Sequence, residues 1–169
     1  QNTSRAGLPK KFLEESSYYK DSQRKSTIRL WDRFSILFRG DSMYHRMEGA
    51  FNSLVAYIPN ISILDVGCAS GRFAFRLLEG GASRVVGVDV ATSAIKRAEQ
   101  QRTQSIYEDK SEFFLTDVVQ PDNTLPQVDL ITALGVIEYF DAELMATFLS
   151  NIRAPHFFFS FPKKEETPF

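Results

Sequence analysis

From Pro59 onward, short apolar runs alternate with amphipathic stretches, and this alternation limits the fold more than any other feature of the sequence. Strands joined by helical crossovers form a parallel sheet, and near-continuous apolar runs fit strands that helices cover on both faces. Strands are predicted at residues 62–66, 84–89, 112–116, 128–133 and 156–161. Helices are predicted at residues 72–79, 93–101 and 142–152, whereas the composition of 120–127 does not favour one. The chain is therefore predicted to form an α/β, doubly wound, mostly parallel sheet.

The stretch before Pro59 has a different pattern, with apolar residues at helical spacing. One helix is predicted at 27–38. A second is predicted to carry one apolar stripe into the core, formed by Met43, Met47, Phe51, Leu54, Val55 and Ile58. We expect residues 1–59 to form a helical arm or cap and residues 60–169 to form the core domain. Residues 1–46 hold ten Lys and Arg against five Asp and Glu, which predicts either a solvated basic face or a rim that attracts an anionic ligand.

Composition excludes several other classes of protein. A formal net charge of −1 does not indicate a dedicated binder of nucleic acid. Cys68 is the only cysteine, so no internal disulfide can form, and no Cys/His cluster has the spacing of a metal site. No apolar run is long enough to span a bilayer, and residues 1–5 lack the pattern of a signal peptide. These observations predict a cytoplasmic protein without a metal.

The strongest motif is the segment 63–73, ILDVGCASGRF, in which an apolar strand enters a turn of small residues and then a helix. Gly67 and Gly71 can take backbone conformations that other residues disfavour, so a ligand can approach the backbone closely. A dinucleotide site requires glycines where this chain has Ala69 and Arg72, and a phosphate-binding P-loop requires a Gly-Lys-Ser/Thr sequence that is absent. The turn is therefore predicted to bind another kind of ligand.

Acidic residues end the next two predicted strands. Asp89 lies 24 residues after Asp65, close to the spacing at which such folds place an acceptor for ribose hydroxyls, with Val90 beside it to pack on adenine. A helix cap is the alternative role for Asp89. Asp117 follows the third strand. Because the carboxyl ends of parallel strands share one edge of the sheet, the three carboxylates are predicted to converge on one pocket.

An acidic residue followed by a G-x-G-x-G turn resembles the first motif of the class I S-adenosylmethionine-dependent methyltransferases, small-molecule type, with Ala69 in place of the middle glycine. The resemblance covers about residues 60–162 and implies a Rossmann-like fold. It implies that the methionine end of the cofactor contacts Asp65, Gly67, Cys68, Ala69 and Gly71. Members of the family usually add a C-terminal antiparallel strand pair that this sequence lacks, so either the chain is a fragment of a longer protein or a partner chain or domain covers that sheet edge.

The same resemblance assigns the remaining cofactor contacts to Asp117 and Val118, at the adenine, and to Leu134. The segment after the fourth strand lies beneath the sulfonium in the family and faces the acceptor. Glu138 and Tyr139 are therefore the candidate general bases, although Tyr139 stands where many members carry histidine. Asp141 and His45 are alternatives. Candidate acceptor-binding residues come from the stretch before Pro59: Tyr18, Tyr19, Trp31 and Arg46.

The implied activity is transfer of the methyl group of S-adenosylmethionine to an oxygen, nitrogen or carbon of a small-molecule acceptor, with S-adenosylhomocysteine as product. An anionic acceptor would suit the basic N-terminal stretch. The helix pair before the first motif is distantly similar to that of tetrapyrrole and quinone-precursor methyltransferases, and this likeness does not assign a substrate. Three alternatives stay open: a noncatalytic cofactor-binding regulatory or scaffold module, an RNA methyltransferase that uses the basic stretch, and an aminopropyl transferase.

Overall fold

A computed structural model describes residues 42–121 and 123–161, so the predicted helix at 27–38 lies outside the described part of the chain. In chain order, the elements are α1 (Ser42–Leu54), β1 (Ser62–Val66), α2 (Arg72–Glu79), β2 (Arg84–Asp89), α3 (Thr92–Arg102), β3 (Ser111–Leu115), β4 (Leu130–Leu134), α4 (Ala142–Asn151) and β5 (His156–Ser160). Short 3₁₀ turns at Glu108–Lys110 and Ile137–Tyr139 precede β3 and α4. The bounds of β1, α2 and β2 are as predicted, and the other predicted strand and helix ends after Pro59 agree to within two residues.

The five strands form one parallel sheet in the order β3-β2-β1-β4-β5. The chain moves outward from β1 on one side and then returns to add β4 on the other, so β1 lies at the point where the strand order reverses. In such sheets the crevice at the carboxyl ends beside this point is where ligands bind. The predicted Rossmann-like α/β fold is confirmed, and every strand pair within residues 42–121 and 123–161 is parallel.

Successive residues of each inner strand face opposite sides of the sheet and enter two separate apolar clusters. Ile63 packs in the cluster that also contains buried side chains of α1, α2 and α3. Leu64 packs in the other cluster, with Phe148 of α4 at 0% exposure. Burial on both faces explains why the strands are apolar nearly throughout and leaves their carboxyl ends as the open edge for chemistry.

Helix α1 packs on this core with part of its predicted stripe. Met47 and Phe51 are buried, and the Arg76 guanidinium of α2 lies 3.7 Å from the centre of the Phe51 ring while its Nε donates to Glu48 at 3.1 Å. The helix ends at Leu54, earlier than predicted, and Val55 in the turn that follows is 44% exposed, so its predicted place in the stripe is wrong. The predicted boundary between residues 59 and 60 stays a prediction.

The crossover from β3 to β4 has no helix in its described residues, 116–121 and 123–129. The buried amide of Asn151, the last residue of α4, holds it by donating to the carbonyl oxygens of Val118 at 3.0 Å and Gln120 at 2.7 Å. Among the helices of the described residues, none combines the length and apolarity that a membrane span needs.

Candidate functional site

The turn after β1 is held in an unusual backbone conformation. Gly67, Ala69 and Gly71 have φ angles of +72°, +48° and +83°, all in the left-handed region. The N–H groups of Gly67 and Cys68 donate to the Val88 carbonyl of β2, at 2.8 and 3.1 Å. Ala69 takes a conformation that costs a residue with a side chain about 1 to 2 kcal/mol. This cost explains why the methyltransferases that the motif resembles usually have glycine at this position.

Asp89, at the end of β2, ties this turn to its own strand. One carboxylate oxygen, Oδ2, accepts from the Ala69 N–H at 2.9 Å, and Oδ1 accepts from the Ala91 N–H at 2.8 Å. Burial raises the pKa of Asp89, and these backbone donors offset part of the increase. Helix α3 begins at Thr92 with Ala91 as its N-cap, so Asp89 holds the turn before the helix. The Val90 N–H also bonds the carboxylate, which leaves about one lone pair for a ribose hydroxyl, and that role stays a prediction.

Asp65, near the end of β1, is 2% exposed. Its Oδ1 accepts a hydrogen bond from the Thr132 hydroxyl of β4 at 2.9 Å, whereas no donor among the described residues reaches Oδ2. Buried polar atoms are nearly always paired, so an unpaired carboxylate oxygen in a glycine-lined crevice points to a ligand that donates a hydrogen bond. Burial raises the pKa of Asp65 to about 7; the Thr132 hydroxyl opposes the increase and the charge of Asp89 adds to it.

The raised pKa of Asp65 predicts that this residue makes stability pH-dependent. Between pH 4 and pH 7 the folded chain retains a proton that the unfolded chain releases, so stability falls as pH rises through this window. We expect the difference in unfolding free energy between wild type and Asp65→Asn to fall by about 2 to 3 kcal/mol from pH 5 to pH 8. Urea denaturation at four pH values measures it. The titration of Asp89 contributes in both proteins, so its effect cancels to first order in the difference. A difference in unfolding free energy that does not change with pH would contradict the prediction.

Cys68 is buried within the turn. Burial, together with the charges of Asp65 and Asp89, raises the pKa of its thiol well above the usual range. A thiol that stays protonated is a poor nucleophile, so a covalent role has no support. The predicted cofactor contact of Cys68 rests on its backbone and stays a prediction.

The third predicted contact region begins where β3 ends. The Thr116 N–H donates to the Asp89 carbonyl at 2.9 Å, which brings the start of this loop to the end of β2. The Asp117 carboxylate accepts from the Val119 N–H at 3.2 Å, and Val118 is buried. Val90 is half-buried after β2. The adenine contacts predicted for these residues stay predictions.

The end of β4 brings together residues that are far apart in sequence. Leu134 is buried and Gly135 follows with φ +72°. A Cβ atom at Gly135 would collide with Nη1 of Arg46 from α1 and lie 4.0 Å from Oε1 of the exposed Glu138, so the guanidinium and the carboxylate share the rim beside this glycine. Tyr139 is half-buried in the 3₁₀ turn that follows.

Two of the alternative bases have local surroundings of their own. The Asp141 carboxylate accepts from the Leu144 N–H at 2.9 Å and so caps α4, a sufficient structural role for it. His45 is exposed on α1, with its ring edge against Tyr44.

Tyr18, Tyr19 and Trp31 lie outside the described residues. Sequence reasoning missed Thr132 and Gly135; the one available signal was a polar residue inside the apolar run 128–133.

A separate cavity of about 640 Å³ lies against β2 and β3, lined in part by Arg84, Phe114, Leu115 and Arg153. Its lining includes none of the site residues predicted above. The candidate site is the crevice at the carboxyl ends of β1, β2 and β4, defined by the glycine turn, the carboxylates of Asp65 and Asp89, and the rim beside Gly135.

Comparisons with known proteins bear on the family and the fold of the chain. The family model for a methyltransferase domain matches residues 64–155, more than half of the chain. A tRNA U34 carboxymethyltransferase from Methylococcus capsulatus (strain Bath) is 40% identical over 52 residues, which are 31% of this chain and only 15% of that protein's length.

Solved structures give the same fold. Magnesium protoporphyrin IX methyltransferase from Synechocystis PCC 6803, crystallised with SAH (S-adenosylhomocysteine), has a TM-score of 0.63 at 17% identity, over 85% of this chain and 68% of that one. A phosphoethanolamine N-methyltransferase from Haemonchus contortus has a TM-score of 0.54 at 22% identity, over 64% of this chain and 23% of that one. At these identities the likeness establishes the fold.

Proposed function

This chain belongs to the methyltransferase-domain family, and from that premise we propose that it binds S-adenosylmethionine in the crevice at the carboxyl ends of β1 and β2 and directs methyl transfer to a small-molecule acceptor. The observation that carries the proposal is the unpaired, buried Oδ2 of Asp65 beside the left-handed turn. An α-ammonium group would supply the missing donor, with a charge opposite to that of the carboxylate. The N–H groups of Gly67, Cys68 and Ala69 already donate within the protein, so the α-carboxylate of the same ligand would need other donors.

The remaining residues fit the rest of such a ligand. Asp89 has a lone pair left for a ribose hydroxyl, Val90 and Val118 offer apolar contacts for adenine, and Asp117 offers an acceptor for its amine. The cofactor supplies a methyl group that a positive sulfur already activates, so the main task of the protein is to hold the acceptor atom in line. Glu138 and Tyr139, after β4, are the side chains proposed to take a proton from an oxygen or nitrogen acceptor.

Arg46 supports an anionic acceptor. Its guanidinium lies over Gly135 beside the proposed methyl-transfer position, and a planar cation there suits a carboxylate or phosphate group. We expect Arg46→Gln to raise the KM for an anionic acceptor about tenfold and to leave the affinity for S-adenosylhomocysteine within about twofold. The matched control is Arg97→Gln, the same change on the exposed surface of α3. If Arg46 instead binds the cofactor carboxylate, the loss would appear in cofactor affinity.

The decisive test of the proposal has two stages. Calorimetry with S-adenosylmethionine and S-adenosylhomocysteine measures binding, and transfer of a tritiated methyl group over a panel of anionic and neutral acceptors measures turnover. Absence of binding would refute the proposal. Binding without transfer to any acceptor would favour the noncatalytic module, in which the same site regulates or scaffolds a partner.

An RNA acceptor is the second candidate, because one partial relative is named as a tRNA carboxymethyltransferase and residues 1–46 are basic. RNA binding that weakens steeply with salt, together with methyl transfer to RNA, would favour it over a small-molecule acceptor. The formal net charge of −1 for the whole chain favours the small molecule.

A further inference from the structure

Thr132 occupies an unusual position for a hydroxyl group. Its side chain is 0% exposed, and its neighbours along β4 are the apolar residues Ile131 and Ala133. Valine would have the same shape and favour a strand equally well. The strand register places Thr132 directly beside Asp65, and its Oγ1 donates to Oδ1 of that carboxylate at 2.9 Å.

We propose that Thr132 is a positioning residue of the cofactor site, which fixes the Asp65 carboxylate through Oδ1 and thereby presents Oδ2 to the α-ammonium group of the cofactor. This inference rests on the proposed function. The hydroxyl can donate a single hydrogen bond, and it donates to Oδ1. The other oxygen, Oδ2, has no hydrogen-bond donor among the described residues. The two oxygens of Asp65 are thus divided between an internal partner and a ligand.

The surroundings of Asp65 make this bond consequential near neutral pH. Asp89, at the end of β2, is the titratable group that acts on it in the described residues; the nearby Cys68 thiol stays protonated and uncharged, and β4 contributes only the neutral Thr132 hydroxyl. Burial raises the pKa of Asp65, the hydrogen bond from Thr132 lowers it, and the charge of Asp89 adds to the increase. A protonated Asp65 carries a hydrogen on one oxygen and no charge, so it binds an ammonium group poorly.

A purely structural role for Thr132, joining β1 to β4, makes a different prediction. Loss of a bond that only joins the strands would lower the stability of the fold without a pH-dependent loss of cofactor affinity. Loss of a positioning bond would raise the pKa of Asp65, so the damage to cofactor binding would be largest at low pH and would shrink as both proteins become ionised.

The experiment compares wild type, Thr132→Val and Thr132→Ser by calorimetry from pH 6 to pH 8.5. The probes are S-adenosylhomocysteine and 5′-methylthioadenosine, which has the adenosine and sulfur but neither the amino nor the carboxylate group. We expect Thr132→Val to bind S-adenosylhomocysteine roughly tenfold or more weakly at pH 6 and within about threefold of wild type at pH 8.5. Thr132→Ser should follow wild type, and 5′-methylthioadenosine should bind all three proteins alike. Titration of the ligand's own ammonium is common to the three proteins and cancels in the ratio.

A loss that does not change with pH, an equal loss in Thr132→Ser, or an equal loss for 5′-methylthioadenosine would overturn the role of Thr132 while the proposed function stands. Failure of wild type to bind S-adenosylhomocysteine at any pH would instead overturn the proposed function. If circular dichroism shows that Thr132→Val does not fold, Thr132→Ala is compared with Thr132→Ser instead. Both variants lack the methyl group of threonine and they differ only in the hydroxyl, so the same pH dependence is expected.

Discussion

Asp65→Asn is expected to weaken binding of S-adenosylhomocysteine at pH 8 by at least about 100-fold, because it removes the charge that the α-ammonium group would meet in a buried site. The change also places an amide where the unpaired Oδ2 now lies, or moves the amide into the position that faces the Thr132 hydroxyl. In the first arrangement two N–H donors face the ammonium group. In the second, the hydrogen bond that Thr132 donates would be lost.

Calorimetry at pH 8 checks this result, with circular dichroism to confirm that the variant is folded. Asp129→Asn is the matched control, because Asp129 precedes β4 at the opposite end of the sheet, where its carboxylate accepts from the N–H and hydroxyl of Ser62 at 2.7 and 2.6 Å. The control should bind within about twofold of wild type. An Asp65→Asn protein that binds as tightly as this control would show that Asp65 does not contact the ligand.

Gly71→Ala is expected to lower the unfolding free energy by about 2 to 4 kcal/mol. The φ angle of +83° disfavours any side chain, and a Cβ atom would lie 2.8 Å from Cζ of Phe113 and 3.2 Å from Cε2 of Phe75. Those two rings pack against each other with centroids 5.6 Å apart, so neither can retreat without disturbing the core. The turn would shift, and cofactor affinity would fall with it.

Ala69→Gly in the same turn should act in the opposite direction. It relieves a left-handed alanine at φ +48° but makes the unfolded chain more flexible, so stability is expected to stay equal or to rise by up to about 1 kcal/mol. Urea denaturation of the three proteins at pH 7 measures both changes. A destabilised Ala69→Gly together with an unaffected Gly71→Ala would show that the turn has a different conformation in solution.

The sequence predicted best the elements whose ends are set by residues adjacent to them in the chain. Strand β1 ends at Val66, before the Gly67 turn, and α2 ends at Glu79, before Gly80, and both ends can be recognised from the glycines in the sequence. The start of β4 was less predictable, since Asp129 belongs to an apolar run in sequence but hydrogen-bonds across to Ser62 before the strand begins. Val55 was misplaced: α1 ends at Leu54, and Val55, the first residue of the following turn, is exposed.

The parts of the site that escaped prediction depend on strand register and helix docking. The bond between Thr132 and Asp65 joins residues 67 positions apart and exists only because β4 lies beside β1 in one register. The contact between Arg46 and Gly135 likewise requires α1 to pack near the end of β4. Periodicity and motif spacing describe single segments, so they predict that acids end the strands but not which side chains share a hydrogen bond.

The backbone hydrogen bonds that Asp89 accepts from Ala69 and Ala91 have a consequence for the speed and thermodynamics of recognition. Because its carboxylate already fixes the N–H groups of Ala69 and Ala91, the loop is preorganised in the ligand-free chain. The entropic cost of ordering the loop is incurred once, during folding, and not again each time a ligand binds. Association should therefore resemble docking into a rigid receptor, with little change in backbone hydrogen exchange across this loop.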